Sequence, residues 1–267
     1  MTSMTTKIGL ILIILLSLVA VFAPWIAPYD PAAFDLPNAF AGPSVLHWLG
    51  QDADGRDILS RIIFGTRTSL GIGVVVTAIS LIVGSGLGLF VAMQGKWWDR
   101  IFLFVSDVFM AFPSFLFAIA IAAFLSPSVA NVILILALKG WVSYARLIRG
   151  QALSLREREF VAAAKSIGAS DTRIGLKYLF PNMLGTIAVN TSFGMAGVII
   201  IESSLSFLGL GVPPGTPSWG GMLDEGVQYL LVTPTLSIFP GIFLMHMVLA
   251  FNFVGDGLRD RWAPRGR

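Results

Sequence analysis

The sequence has no cysteine, so neither a disulfide framework nor a thiolate metal site is available to it. Histidine is nearly as scarce: His47 and His246 stand far apart, and no local imidazole motif for a metal results. Charge is thin. Asp, Glu, Lys and Arg make up 12% of the 267 residues, against about a quarter in an ordinary soluble domain. The P-loop pattern G-x-x-x-x-G-K-[ST] does not occur, so the chain does not itself cradle ATP phosphates in that way. These absences exclude a soluble enzyme and a nucleic-acid binder. What is present is apolar: 55% of the residues are hydrophobic and the mean hydropathy is +0.81. The composition is that of an all-α integral membrane protein. The pI of 9.4 rests on a net charge of only +3, a surplus expected of cytoplasmic loops rather than of a surface for a polyanion.

A helix rises 1.5 Å per residue, so a hydrocarbon core of about 30 Å takes about 20 apolar residues. By that length six spans are expected: 8–27, one within 69–95, 101–125, 128–147, 183–205 and 236–255. The run after Lys7 resembles a secretory signal, but it is long for one and ends in Pro24, Trp25 and Pro28, which favours an uncleaved anchor. With the N-terminus inside, fourteen Lys and Arg fall on the cytoplasmic side against Arg56, Arg61 and Arg67 outside, with Lys139 in a span. Both termini are therefore expected in the cytoplasm.

Charges at membrane depth are costly and so are candidates for the path or its gate; here they are Asp107, Lys139 and Glu202. Asp107 could pair with Lys96 or Arg100, Lys139 with Asp107 or another subunit, and Glu202 sits near the outer end of the fifth span. Outside the membrane, 57–67 carries Ile58, Leu59, Ile62 and Ile63 on one side and Asp57, Ser60 and Arg61 on the other, the pattern of an interfacial helix. His47 is expected to be a hydrogen-bonded surface residue, and His246 to bond a neighbouring helix. Gly71, Gly73, Gly84, Gly86 and Gly88, with Gly185, Gly194 and Gly197, suit close helix packing or sliding.

The most informative polar stretch is 151–182, QALSLREREFVAAAKSIGASDTRIGLKYLFPN. Phe160, Ala163, Ala164 and Ile167 fall at i, i+3, i+4 and i+7, a narrow face of one aromatic, two small residues and one aliphatic. Gly168 suits a left-handed stop, Ser170 or Asp171 a cap, and Pro181 is expected to end the second helix at the membrane. Periodicity alone leaves two readings: an amphipathic loop on the inner leaflet, or a docking element for another protein.

This stretch resembles the EAA motif of ABC importer permeases, Glu-Ala-Ala, three residues, Gly, nine residues, Ile-x-Leu-Pro. Ala163, Ala164, Gly168 and Pro181 match it. Ala162 stands in place of the Glu, with Glu159 a turn earlier, and Tyr178 and Phe180 replace the Ile and Leu. HWLGQDADGRDILSRIIFGTRTSL (47–70), DVFMAFPSFLFA (107–118), SLSFLGLGVPPGTPSWG (204–220) and FNFVGDGLRDRWAPR (251–265) narrow the resemblance. They are similar to the C-type permease subunit of dipeptide, oligopeptide and nickel importers.

The resemblance implies a six-helix type I importer half: an anchor and extracytoplasmic segment over 1–68, a transmembrane domain over 69–256, and a basic cytoplasmic tail over 257–267. It further implies a B-type permease partner, two ATPase subunits, an extracytoplasmic solute-binding protein and the bacterial inner membrane as location. The chain is then non-catalytic, with no metal or cofactor of its own; ATP and Mg belong to the ATPase partners. Glu159, Phe160, Ala163, Ala164, Lys165, Ile167, Gly168 and Ala169 become the ATPase-coupling residues. Nickel or glutathione import is the alternative within the family; a secondary transporter or channel would leave the docking stretch without a role.

Overall fold

In the computed structural model, which describes residues 4–262, the chain is helical throughout its regular structure and has no named strand among the described residues. α1 (Met4–Ile26) carries no charge beyond Lys7, and its 23 residues span about 35 Å. After an irregular segment with one 3₁₀ turn (Leu36–Asn38), expected on the outer side, comes α2 (Ile58–Gln94), the longest element at 37 residues. The expected interfacial helix is therefore not separate. Its residues form the first turns of α2, started by Asp57, whose carboxylate accepts from the Ser60 amide at 2.8 Å. Nor does its polar side face solvent: Asp57, Ser60 and Arg61 are buried, because the preceding loop and a later helix close over them.

The expected third span is broken. α3 (Lys96–Ala111) and α4 (Ser114–Ala122) meet at 81° across Phe112 and Pro113. Proline lacks the amide that would continue the helix and pushes the residue before it out of the helical region, and Phe112 is extended at φ −96°, ψ 131°. α5 (Val129–Arg156) starts where Ser128 caps the Asn131 amide at 3.1 Å and runs past the expected end at 147, carrying Arg149 and Arg156 beyond the apolar stretch. Two short helices, α6 (Glu159–Ser166) and α7 (Asp171–Arg173), lead into a π-helical segment (Ile174–Leu179) and then α8 (Phe180–Phe207). Pro181 thus opens a helix rather than ending one, since a first-turn amide has no intrahelical partner to lose. α9 (Trp219–Gln228), capped by Ser218, and α10 (Thr235–Trp262) complete the chain. Five helical stretches are long and apolar enough to cross a membrane, and six when the bent pair counts as one. Arg265 and Arg267 of the expected basic tail lie outside the described residues.

α2 is the central strut and packs most extensively against α5, while α10 packs against α8 and α1. Glycine makes the first contact possible: a Cβ at Gly84 would collide with the Trp141 carbonyl, and one at Gly88 with that of Ala145. Gly71, Gly86 and Gly197 face open space instead, so the glycines do not act as one set. At the end of α2 near Gln94 a cluster of Leu89, Ala92, Ile148, Ala152, Leu179 and Met183 locks α2, α5 and α8 together. His246 bonds the Ile242 carbonyl of its own helix at 2.7 Å, not a neighbour.

Candidate coupling segment and translocation cavity

α6 is short, but one side of it belongs to the core. Val161 is fully buried and Ala164 nearly so, both packed in the cluster that joins α2, α5 and α8. The other side is bare: Phe160 is 39% exposed and Ile167 79%, and Glu159, Ala163, Lys165 and Gly168 are exposed beside them. The expected docking face therefore splits. Phe160, Ala163 and Ile167 point out, whereas Ala164, three residues after Val161, shares the inward face. Gly168 adopts φ +80°, as its place after the helix required. The half-buried Ala169 returns its amide to the Ala164 carbonyl at 3.0 Å, and Ser170 accepts from the Arg173 amide at 3.3 Å. Two polar ties fasten the surroundings: Arg156 donates to the Ala92 carbonyl near the end of α2, and Gln151 of α5 donates to Thr186 of α8 at 2.7 Å.

The membrane-depth charges take three different situations. Asp107 pairs with Arg146 at 2.9 Å, not with Lys96 or Arg100, because α3 lies along α5 and turns that side toward it. A second pair, Asp99 with Arg149 at 2.7 Å, ties the same two helices and was not expected. Lys139 does not reach Asp107. Its ammonium donates to the Phe112 carbonyl, freed by the break between α3 and α4, and sits 5.5 Å from the Phe117 ring centroid. It lines a cavity of about 310 Å³ walled by α3, α4, α5 and α8. Glu202 is fully buried, accepts from Ser206 at 3.0 Å and Ser203 at 3.3 Å, and does not line that cavity.

At the opposite end of α2 from the coupling segment, the loop before it folds onto α9 through a dense ionic cluster. Asp52, 1% exposed, accepts from the Arg56 amide at 2.9 Å and the Arg56 Nε at 2.8 Å, and also from Arg61. Arg61 forks onto Glu225 of α9 at 2.6 and 2.9 Å. Such a fork suits guanidinium and carboxylate geometry, and it places Arg61, Asp52 and Arg56 inside the protein without an unpaired charge. His47 bonds Asp57 at 2.9 Å and stacks on Tyr29. Among the described residues no group of three or more metal-ligating side chains converges.

Residues 84–267 match the family described as binding-protein-dependent transport system inner membrane component, and residues 5–43 match the N-terminal transmembrane domain of oligopeptide transport permease C. The chain belongs to the first of these families. It is a permease subunit of an ABC importer, non-catalytic and multi-pass in the inner membrane. Glutathione transport system permease proteins GsiD from Shigella dysenteriae serotype 1 and from Escherichia coli O6:K15:H31 are each 44% identical over 254 residues, which is 95% of this chain and 84% of theirs. Two inward-facing crystal forms of the methionine ABC transporter MetNI share the fold at TM-scores of 0.59 and 0.60. They are 18% and 17% identical and cover 74% and 76% of this chain, and 95% and 97% of theirs.

For this permease, sequence reasoning located the short helix and turn over 159–169 and the charges within the spans, but not the partners of those charges. The signal for Lys139 lay in Pro113: a proline inside an apolar run pushes the residue before it out of the helix, and the carbonyl of that residue, here Phe112, is left for a nearby cation. No comparable signal joined Arg61 to Glu225, 164 positions apart.

Proposed function

We propose that this permease forms half of an ATP-driven import path for peptides or related small solutes, with α6 and the Gly168 turn as its contact to an ATPase subunit. The observation that carries the coupling role is the split of α6 into a buried side and a bare one. A free amphipathic loop would have no reason to anchor Val161 and Ala164 in the packing of three spans while leaving Phe160 and Ile167 in the open. An element built this way moves as a lever, so closure of an ATPase pair against it would switch the attached helices between two packings. Glu159 and Lys165 flank the apolar contact and would fix its register.

The second permease is taken to be of the B type, the ATPase subunits two, with ATP and Mg bound by them, and the solute delivered by an extracytoplasmic binding protein. Both termini lie in the cytoplasm in this reading, which puts α6 on the side where ATP is. Glutathione is the first solute to try, on the strength of the 44% identical GsiD relatives, with dipeptides, oligopeptides and nickel complexes next.

The deciding experiment reconstitutes the whole complex with Phe160→Ala and Gly168→Asp variants. Phe160 removes a half-exposed anchor, and Gly168→Asp places a side chain at φ +80°. Uptake should fall about tenfold or more while the ATPase subunits retain activity, since one hot-spot side chain carries roughly 2 kcal/mol. Wild-type uptake in both variants would sink the coupling assignment.

A further inference from the structure

The ammonium of Lys139 is a membrane-depth cation with no anionic partner among the described residues. Asp107 is taken by Arg146, Asp99 by Arg149, and Glu202 is enclosed by Ser203 and Ser206. Among the described residues no carboxylate pairs with Lys139, and what it holds is the neutral carbonyl of Phe112. A cation left with a neutral acceptor at this depth keeps most of its demand for an anion. Around it the cavity of about 310 Å³ is large enough for a small solute or one end of a longer one. Phe112, Pro113, Phe117, Ile135 and Val198 give it an apolar wall, with the exposed Ser143 as a second polar group.

We infer that Lys139 is a specificity-determining residue of the translocation path, which receives the carboxylate of a passing solute in exchange for the Phe112 carbonyl. The inference rests on the reading of the chain as half of a solute path and adds the class of solute: molecules that carry a carboxylate next to an apolar or peptide body. The exchange is a plain replacement of acceptors. The ammonium gives up a carbonyl and gains a charge-assisted bond, the carbonyl is left at the edge of the cavity, and no proton changes place. Because that carbonyl lies in the break between α3 and α4, arrival of the solute also removes one tie of the α3–α4 corner to α5, with the Asp107–Arg146 pair left in place, and its departure restores the tie. A carboxylate of the second permease is the rival occupant. The cavity argues for the solute, since an ion pair between subunits would need no space beside it.

The test uses the complete complex in proteoliposomes, with a mixture of two- to five-residue peptides bearing free C-termini, and reads uptake by mass spectrometry. Lys139→Met should lower uptake per assembled complex about tenfold, the factor set by one charge-assisted hydrogen bond, while Lys139→Arg keeps most of it. The absence of native cysteine allows a sharper form. Lys139→Cys should lose uptake, regain it when an aminoethyl methanethiosulfonate restores a cation, and fail to regain it with the sulfonatoethyl reagent. Full uptake by Lys139→Met overturns the inference. Reduced recovery of the second permease with unchanged uptake per complex assigns the counter-charge to that subunit and overturns it too, as does failure of every charge-removing variant to assemble. If the wild-type complex imports none of the peptides, the peptide-import reading itself falls and this inference falls with it.

Discussion

Asp52 is 1% exposed and holds two guanidinium groups, Arg56 and Arg61, that are themselves almost entirely buried. Its removal leaves Arg56 with Asp54 and Glu225, and Arg61 with Glu225, so what is lost is the buried charge-assisted bonding of Asp52 itself. Asp52→Ala should therefore destabilise the chain by about 1.5–3 kcal/mol, seen as an earlier thermal unfolding transition in detergent. Asp54→Ala, which removes a partly exposed carboxylate at 2.9 Å from Arg56, should cost under about 1 kcal/mol. Equal transitions for the two variants would show that the cluster is not the fastener of the outer loop. This residue-scale chemistry was poorly legible in the sequence. Asp52, Arg56 and Arg61 were visible as charges expected on the outer side, but charge identity carries no address, and Glu225 reaches them only after the six helices α3 to α8 have been placed. Gly168 was the opposite case: a glycine following a short periodic run has one conformational reason to be there, and its φ of +80° is that reason.

Among the elements, span existence was readable because it needs only length and hydropathy, whereas span integrity was not, because one proline decides it. Pro113 sat in plain view inside the expected 101–125 span, yet whether a helix merely kinks or turns by 81° depends on what donates to the freed carbonyl, and Lys139 is supplied by another helix. The merging of the outer amphipathic run into α2 has a similar cause. Apolar and polar sides were assigned correctly as sides, but the polar one was covered by tertiary packing that periodicity does not encode. The glycines of α2 make a testable contrast at this scale. Gly84→Ala drives a methyl into the Trp141 carbonyl and the Tyr144 side chain, and so separates α2 from α5. Gly86→Ala meets nothing within 4 Å and gains helix propensity worth about 1 kcal/mol. In the purified chain the first should lower the unfolding temperature and the second should hold or raise it. A loss of the same size at both would mean that flexibility of α2, rather than its approach to α5, is what the glycines supply.

At the scale of the whole molecule, the two ends of α2 carry different kinds of surface, and the difference defines a direction across the membrane. One end is closed by the ionic cluster of the outer loop and α9; the other presents Phe160, Ala163 and Ile167 on a helix seated among α2, α5 and α8. In the proposed topology the second end faces the cytoplasm, as expected from fourteen Lys and Arg against three. Absence of native cysteine makes that assignment directly measurable, since any thiol introduced is the chain's sole reactive one. Val45→Cys, at a position 92% exposed in the outer loop, should react with an impermeant maleimide in cells whose inner membrane is intact. Ala163→Cys should react only once that membrane is opened, and should lose its reactivity when the ATPase subunits are co-expressed, because the same face is then covered. Reaction of Ala163→Cys from outside would invert the topology and with it the coupling reading. Reaction from inside that ATPase subunits leave undiminished would keep the topology and move the docking contact elsewhere on the cytoplasmic surface.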